Sequence, residues 1–363
     1  MRLDAMAGGL PLRELSTLAR EVQETGFAGL WIVEGPRSAY TACTAVALAT
    51  DGLDLGTSIS VAFPRSPMIT AQAAWELQEA TRGRFVLGLG TQVKAHVERR
   101  YSAAFSHPGP RMREYVLAVK AIFRAFRGVE PLGFEGDFYR HTLLPDMWSP
   151  GPIATADPPV YVAGVNPWMC RMIGEVADGV HVHPLHSTRY VEEVVRENLA
   201  SGAAKAGRPV DDVTVVCPLL TIVGDTEEER AQWREVARLQ LAFYGSTRTY
   251  AGVFELHGWP GTSERLHEQQ RVGDVAGMTA TFTDEMLDAF TLSATWDGLA
   301  DAIVDRYRGI ADRVICYFAA QSWRRDPRAR ARWAEVARAV NASGAERAGD
   351  GAPGPRARLS SET

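Results

Sequence analysis

Residues 55–91, LGTSISVAFPRSPMITAQAAWELQEATRGRFVLGLGT, constrain the fold more than any other part of the chain. Residues 55–61 alternate small and β-branched side chains, as a buried strand does. Residues 68–81 carry apolar side chains at helical spacing, entered at Pro67 and left at Gly83. Residues 85–89 form a second apolar strand that stops at Gly88-Leu89-Gly90-Thr91. Strand, helix and strand in so short a stretch make a βαβ unit, and its two strands are then parallel neighbours in one sheet. Both strands end in small residues, hydroxyls and open backbone, which suits the floor of a site for a flat ligand.

The same alternation continues on both sides. Strands are expected at 3–7, Gly29–Val33, 160–162, Gly179–Val182, 213–223 and 314–318. Helices are expected at Leu12–Thr25, 39–50, 111–126, 167–177, 188–206, 226–243, 295–309 and 327–340. With the pair above this makes about eight strands, nearly all followed by helices, which predicts an α/β chain folded as a (β/α)₈ TIM barrel. An open doubly wound sheet is the runner-up, but no G-x-G-x-x-G follows the first strand. Two excursions break the pattern, after the fourth and seventh strands. The first, 131–158, opens as a hairpin in PLGFEGDFYRH; the second, 245–290, is polar and holds YGSTRTY and ELHGWPG. Long excursions in a compact fold are usually functional, so both are expected to shape a substrate pocket. One catalytic domain over 1–341 is expected, followed by an aperiodic tail, 342–363, rich in Gly, Ala and Pro and expected to be disordered.

Bulk properties narrow the function. A formal charge of −5 leaves no electrostatic footprint for nucleic acid or an anionic membrane. No apolar run approaches the ~20 residues of a bilayer span, and the N-terminus has no signal pattern. Cys43, Cys170, Cys217 and Cys316 stand far apart inside apolar patterns, as reduced core residues do. A cytoplasmic enzyme of small molecules is the expectation.

Barrel enzymes work at the C-terminal ends of their strands. That rule selects Gly8, Glu34, Ser58-Ile59-Ser60, Thr91-Gln92, Ala163-Gly164-Val165-Asn166 and His181/His183. In YVAGVNPWM a strand runs into Gly164, then Asn166 at an N-cap position and Pro167 at the first helical position. This is either an anion site suited to a phosphate or an ordinary βα loop. Gly88 and Gly90 allow close approach of a ligand or a tight turn. Glu34 reads as a base, a polar orienter or a surface carboxylate. His181 and His183 share a strand face, as in zinc hydrolases, yet no further ligand is evident in the sequence. They are expected to line the pocket mouth, with no metal.

LGTSISVAFPRSP, RGRFVLGLGT and PPVYVAGVNPWMCRMIGEVADGVHVHP together resemble the bacterial luciferase-like monooxygenase superfamily. The resemblance spans residues 3–318 and is nearer to the branch using the deazaflavin coenzyme F420 than to the FMN branch. It implies a non-prolyl cis peptide at Ser58-Ile59 supporting the ring, Thr91 and Gln92 lining it, and Ala163, Gly164, Val165 and Asn166 as the phosphate loop. It does not supply a proton-transfer residue. The family's His after the second strand is missing from Glu34-Gly35-Pro36, and a glutamate of its sugar-phosphate dehydrogenases falls on Val93. Glu34, His183 and His96 remain catalytic candidates by position. Lys94, His96, Arg99 and Arg100 either meet an acidic tail of the cofactor or form a solvated helix face. The implied activity is hydride transfer to or from a small alcohol, carbonyl compound or activated double bond. The alternatives are an FMN monooxygenase served by a partner reductase, a zinc hydrolase, and a cofactor-binding barrel without turnover. Barrels of this family often pair, so a homodimer is expected.

Overall fold

Period-two alternation along β1 (Arg2–Gly8) divides the molecule into two cores. Leu3, Ala5 and Ala7 enter a large core beneath the helices, while Met6 joins Trp31, Val86, Tyr161, Val216 and Ile315 in a smaller one. The smaller core is the lumen of a barrel. The computed structural model describes residues 1–349.

In chain order α1 (Leu12–Thr25) is followed by β2 (Gly29–Val33), α2 (Ala39–Ala47), β3 (Asp54–Thr57) and β4 (Ser60–Val61). Next come α3 (Pro67–Ala80), β5 (Phe85–Gly90), α4 (Lys94–Arg99), α5 (Pro108–Phe126) and a hairpin of β6 (Phe134–Glu135) and β7 (Arg140–His141). Then follow β8 (Val160–Gly164), α6 (Pro167–Val176), β9 (Gly179–Val182), and α7 (Thr188–Tyr190) joined through a π-helical segment, Val191–Arg196, to α8 (Glu197–Lys205). After β10 (Thr214–Val223) come α9 (Glu227–Gly245), α10 (Ala251–Leu256), α11 (Thr262–Val272), α12 (Val275–Thr281), α13 (Asp284–Phe290) and β11 (Thr291–Ala294). The chain ends with α14 (Leu299–Tyr307), β12 (Arg313–Cys316), α15 (Ala319–Arg325) and α16 (Ala329–Gly349).

Eight of these strand positions, β1-β2-β3-β5-β8-β9-β10-β12, close into a parallel (β/α)₈ TIM barrel. Closure is made by β12, which pairs with β1 (Val314 beside Leu3) and with β10 (Val314 beside Cys217). At the strand starts the lumen is plugged by charge. The Arg313 guanidinium donates to both Asp4 oxygens (2.7 and 2.8 Å) and to Asp54 (2.7 Å), and Trp31 Nε1 donates to Asp4 (2.8 Å). Gly29 makes room for this cluster, because a Cβ there would stand 2.8 Å from Arg313 and 2.9 Å from Asp4.

The structure departs from the expected elements at several places. The third strand is not continuous: β3 pairs with β5 through Leu55 and Gly56, and β4 pairs with β5 again at Leu89 and Gly90, with Ser58 and Ile59 bulging between. Residues 245–290 are helical, not a plain excursion, and β11 extends parallel to the far end of β10. The expected barrel helix at 226–243, capped by reciprocal Thr226–Glu229 bonds, belongs to this insertion; α14 takes the barrel position before β12. α9 runs from the rim, where Asp225 meets Arg332, to the mouth, where Tyr244 meets His183 and Tyr317. Residues 131–158 leave from the end of α5 and brace the outer wall. There Glu114 accepts the N–H groups of Asp137, Phe138 and Tyr139, and Trp75 and Gln78 donate to the carbonyls of Gly151 and Ala156. The tip approaches the strand ends through Tyr139, whose hydroxyl accepts from Arg111, itself stacked on Phe63. α16 runs to Gly349, and residues 350–363 of the expected tail lie outside the described residues. No described helix is long and apolar enough to cross a membrane.

Candidate active site at the C-terminal barrel mouth

The strands are buried along their length but surface at their C-terminal ends. Gly8 is exposed, and Val33, Ser58, Ile59, Thr91, Ala163, Val165 and His183 are partly exposed. Glycines of β5 decide how these ends come together. A Cβ on Gly88 would lie 1.9 Å from the Thr57 carbonyl oxygen, so the bulge sits directly against β5. Thr57 Oγ1 fixes that contact by donating to Gly88 O (2.6 Å) and accepting from Gly88 N–H (2.9 Å). A Cβ on Gly90 would lie 2.6 Å from Ile59 Cδ1 and 3.6 Å from Ala163 Cβ. Ile59 therefore lies across Gly90 and beside Ala163, forming a flat apolar shelf at the mouth. The Ser58–Ile59 peptide is cis. Thr91 and Gln92 follow at the edge of the shelf. Gln92 is left-handed (φ 58°), and its Oε1 accepts the Val93 N–H (2.9 Å).

Glu34 does not stand open in the mouth. It is buried, and both its oxygens are engaged: Arg65 donates to Oε1 (2.5 Å) and Oε2 (2.8 Å), and the Val61 N–H donates to Oε2 (2.7 Å). The carboxylate thus ties the end of β2 to β4 just beyond the bulge, which makes it a positioning residue for the shelf. Bidentate Arg–carboxylate pairs of this kind are strong when desolvated. Replacing Glu34 by Ala leaves Arg65 and the Val61 N–H without their partner, and the expected loss is about 3 kcal/mol, read from the shift in urea midpoint. Glu34→Gln should lose less, because it can still accept from Val61.

The anion loop is thinner than its sequence suggests. Asn166 Oδ1 accepts the Met169 N–H (3.0 Å) as a cap, and Pro167 has no N–H, so the first turn of α6 can offer a ligand the Trp168 amide. Gly164 serves packing: a Cβ there would meet Ile173 at 2.7 Å. Val165 is anchored by the Tyr190 hydroxyl, which donates to its carbonyl (2.8 Å).

The two strand histidines take different places. His181 is inside the lumen, edge-on to Trp31 (4.8 Å) and beside Tyr161 (5.8 Å); burial and the Arg313 charge push it down to about 3, and neither ring nitrogen has a partner among the described residues. His183 is at the mouth against Tyr250 (4.3 Å) and Tyr244 (4.8 Å). Among the described residues no three His, Cys, Asp or Glu side chains converge as metal ligands, so the zinc alternative lacks its donor set. His96 is exposed on α4, away from any side-chain partner among the described residues, while the neighbouring Arg100 donates to the Gly35 carbonyl and ties α4 to the loop after β2.

A family model described as luciferase-like monooxygenase matches residues 2–313. The chain belongs to that family. Among its relatives is an uncharacterized protein of Mycobacterium tuberculosis, 39% identical over 317 residues, covering 87% of this chain and 93% of the relative. A 5,10-methylenetetrahydromethanopterin reductase of Archaeoglobus fulgidus is 30% identical over 311 residues, covering 83% of this chain and 88% of the enzyme. The fold matches that of the coenzyme F420 dependent tetrahydromethanopterin reductase of Methanopyrus kandleri with a TM-score of 0.75 at 20% identity, over 94% of this chain and 99% of that one. Within this luciferase-like chain the mouth gathers Ser58, Ile59, Thr91, Ala163 and His183, and leaves Glu34 and His96 to other surroundings. Sequence reasoning missed Arg65, Tyr244, Tyr250 and Tyr317. Tyr317 could have been found, because it follows the last strand just as Glu34 follows the second.

Proposed function

We propose that the chain is a coenzyme F420-dependent oxidoreductase that passes a hydride between the deazaflavin and a small organic substrate. The shelf carries this reading: Ile59 lying across Gly90, in a space a single Cβ would fill, suits the face of a tricyclic ring. Kinship with a methylenetetrahydromethanopterin reductase of A. fulgidus supports it. Ser58, Ile59, Thr91 and Gln92 would hold the ring, and Ala163, Gly164, Val165 and Asn166, with the Trp168 amide, the phosphate side. When bound, a deazaflavin supplies two-electron hydride chemistry, because carbon replaces nitrogen at the reactive ring position. The chain's own part would be to support the ring on Ile59, fix the bulge through Glu34 and Arg65, and offer His183 at the mouth as a hydrogen-bond donor. Glu34 and His96 are weaker catalytic candidates, one for its ion pair and the other for its exposure.

The second reading is an FMN-dependent monooxygenase, favoured by the description of the family model. Fluorescence titration of the purified chain with F420 and, separately, FMN tests the two. Micromolar F420 binding with much weaker FMN binding is expected. Preference for FMN would move the chemistry to oxygen, and binding of neither would remove the cofactor assignment.

A further inference from the structure

Four side chains close over the lumen between β9, β12 and the helical insertion. His183 comes from the end of β9 and Tyr317 from just after β12; Tyr244 and Tyr250 come from the insertion. The His183 ring lies 4.3 Å from that of Tyr250 and 4.8 Å from that of Tyr244, whose hydroxyl is 2.5 Å from the Tyr317 hydroxyl. The Leu185 N–H donates to His183 Nδ1 (3.1 Å), so the neutral ring carries its proton on Nε2, which has no protein partner among the described residues. Desolvation lowers His183 and pushes Tyr250 up to about 12, and raises Tyr244 and Tyr317 as well, so the whole cluster is uncharged at neutral pH.

We propose that His183 Nε2–H and the Tyr244–Tyr317 hydroxyl pair form the substrate-recognition site. The site takes a neutral ketone, aldehyde or alcohol carried on an apolar or aromatic body. The substrate oxygen accepts from His183 or bonds to the tyrosine pair, and its body packs on the ring of Tyr250. A carboxylate or phosphate on the substrate would lose its hydration against groups that carry no countercharge. The choice of alcohols and carbonyl compounds rests on the oxidoreductase reading above; the preference for an uncharged ligand rests on the four side chains. Half of the site belongs to the insertion, which is pinned to the barrel where Ser187 Oγ and His257 Nε2 meet at 2.7 Å.

The test is calorimetric binding of acetophenone and of its charged counterpart 4-acetylbenzoate, to the chain with and without saturating F420. Acetophenone is expected to bind about tenfold or more tightly than 4-acetylbenzoate, and His183→Phe and Tyr317→Phe should each weaken acetophenone about tenfold. Equal or tighter binding of the carboxylate, no binding of acetophenone, or insensitivity to both variants would overturn the proposal. Failure to bind F420 with ketone selectivity intact would count against the cofactor and leave the recognition site standing. If His183→Phe does not fold, Tyr317→Phe and the charge comparison still decide.

Discussion

Acidification below pH 6.5 is expected to destabilise this barrel steeply, through histidines that stay neutral inside it. Burial and the Arg313 charge hold His181 at about 3; burial, with smaller contributions from neighbours, holds His186 at about 4. An unfolded histidine titrates near 6.5. Below that value the unfolded chain therefore binds protons that the folded chain does not. Stability is full above pH 6.5 and falls as the pH drops toward the folded values. Each ring contributes about 1.4 kcal/mol per pH unit in that window. His181 and His186 together contribute roughly 3 kcal/mol per unit once the pH is well below 6.5, or about 6 kcal/mol by pH 4, comparable with the whole stability of many domains. His183, partly exposed at the mouth, adds less. Urea midpoints between pH 7 and pH 4 measure the slope, and His181→Phe, which keeps a ring against Trp31 and Tyr161, should remove about half of it. A slope untouched by that variant would mean that His181 is hydrated in the folded state.

Arg313→Met is expected to cost about 3–5 kcal/mol, because it leaves Asp4 as an uncompensated charge in the lumen. Asp4 is fully buried, and Arg313 supplies two of its hydrogen bonds, Trp31 the third. The same guanidinium reaches Asp54, so one side chain joins β12, β1 and β3. The pair itself is not the source of the stability; the penalty comes from breaking it. Adding Asp4→Asn to Arg313→Met should therefore restore more than half of the loss, and chemical denaturation of the two variants checks this. F420 affinity should be unchanged in both, since the cluster lies at the strand starts and the shelf at the strand ends.

The sequence made the barrel readable because its strands and helices differ in period. The short apolar run Gly29–Val33 and the helical spacing in Leu12–Thr25 gave both elements with the bounds the structure shows. The insertion was harder to read. α11, TSERLHEQQRV, has one apolar core residue, Leu266, so its face carries no periodic signal, and β11 is four residues long. At the site, strand ends named positions but not partners. Glu34 looked like an open acid because Arg65 lies 31 residues away and reaches it only through the turn after β4. His181 and His183 looked equivalent because two residues along a strand share a face. Their difference is one of depth, set by Trp31 and Tyr161 around one and by two insertion tyrosines around the other.

The shelf is the point on which the functional account turns, and Gly90→Val tests it most directly. The added Cβ meets Ile59 Cδ1 and Cγ1, the movable end of that side chain, and no backbone atom, so the barrel should still fold, at a cost of about 1–3 kcal/mol. Ile59 is then driven off Gly90 into the space assigned to the ring. Fluorescence titration with F420 should show micromolar binding to the parent chain and at least about a hundredfold weaker binding to the variant, the equivalent of roughly 3 kcal/mol. Undiminished F420 binding in a folded Gly90→Val chain would contradict the account and place the cofactor elsewhere.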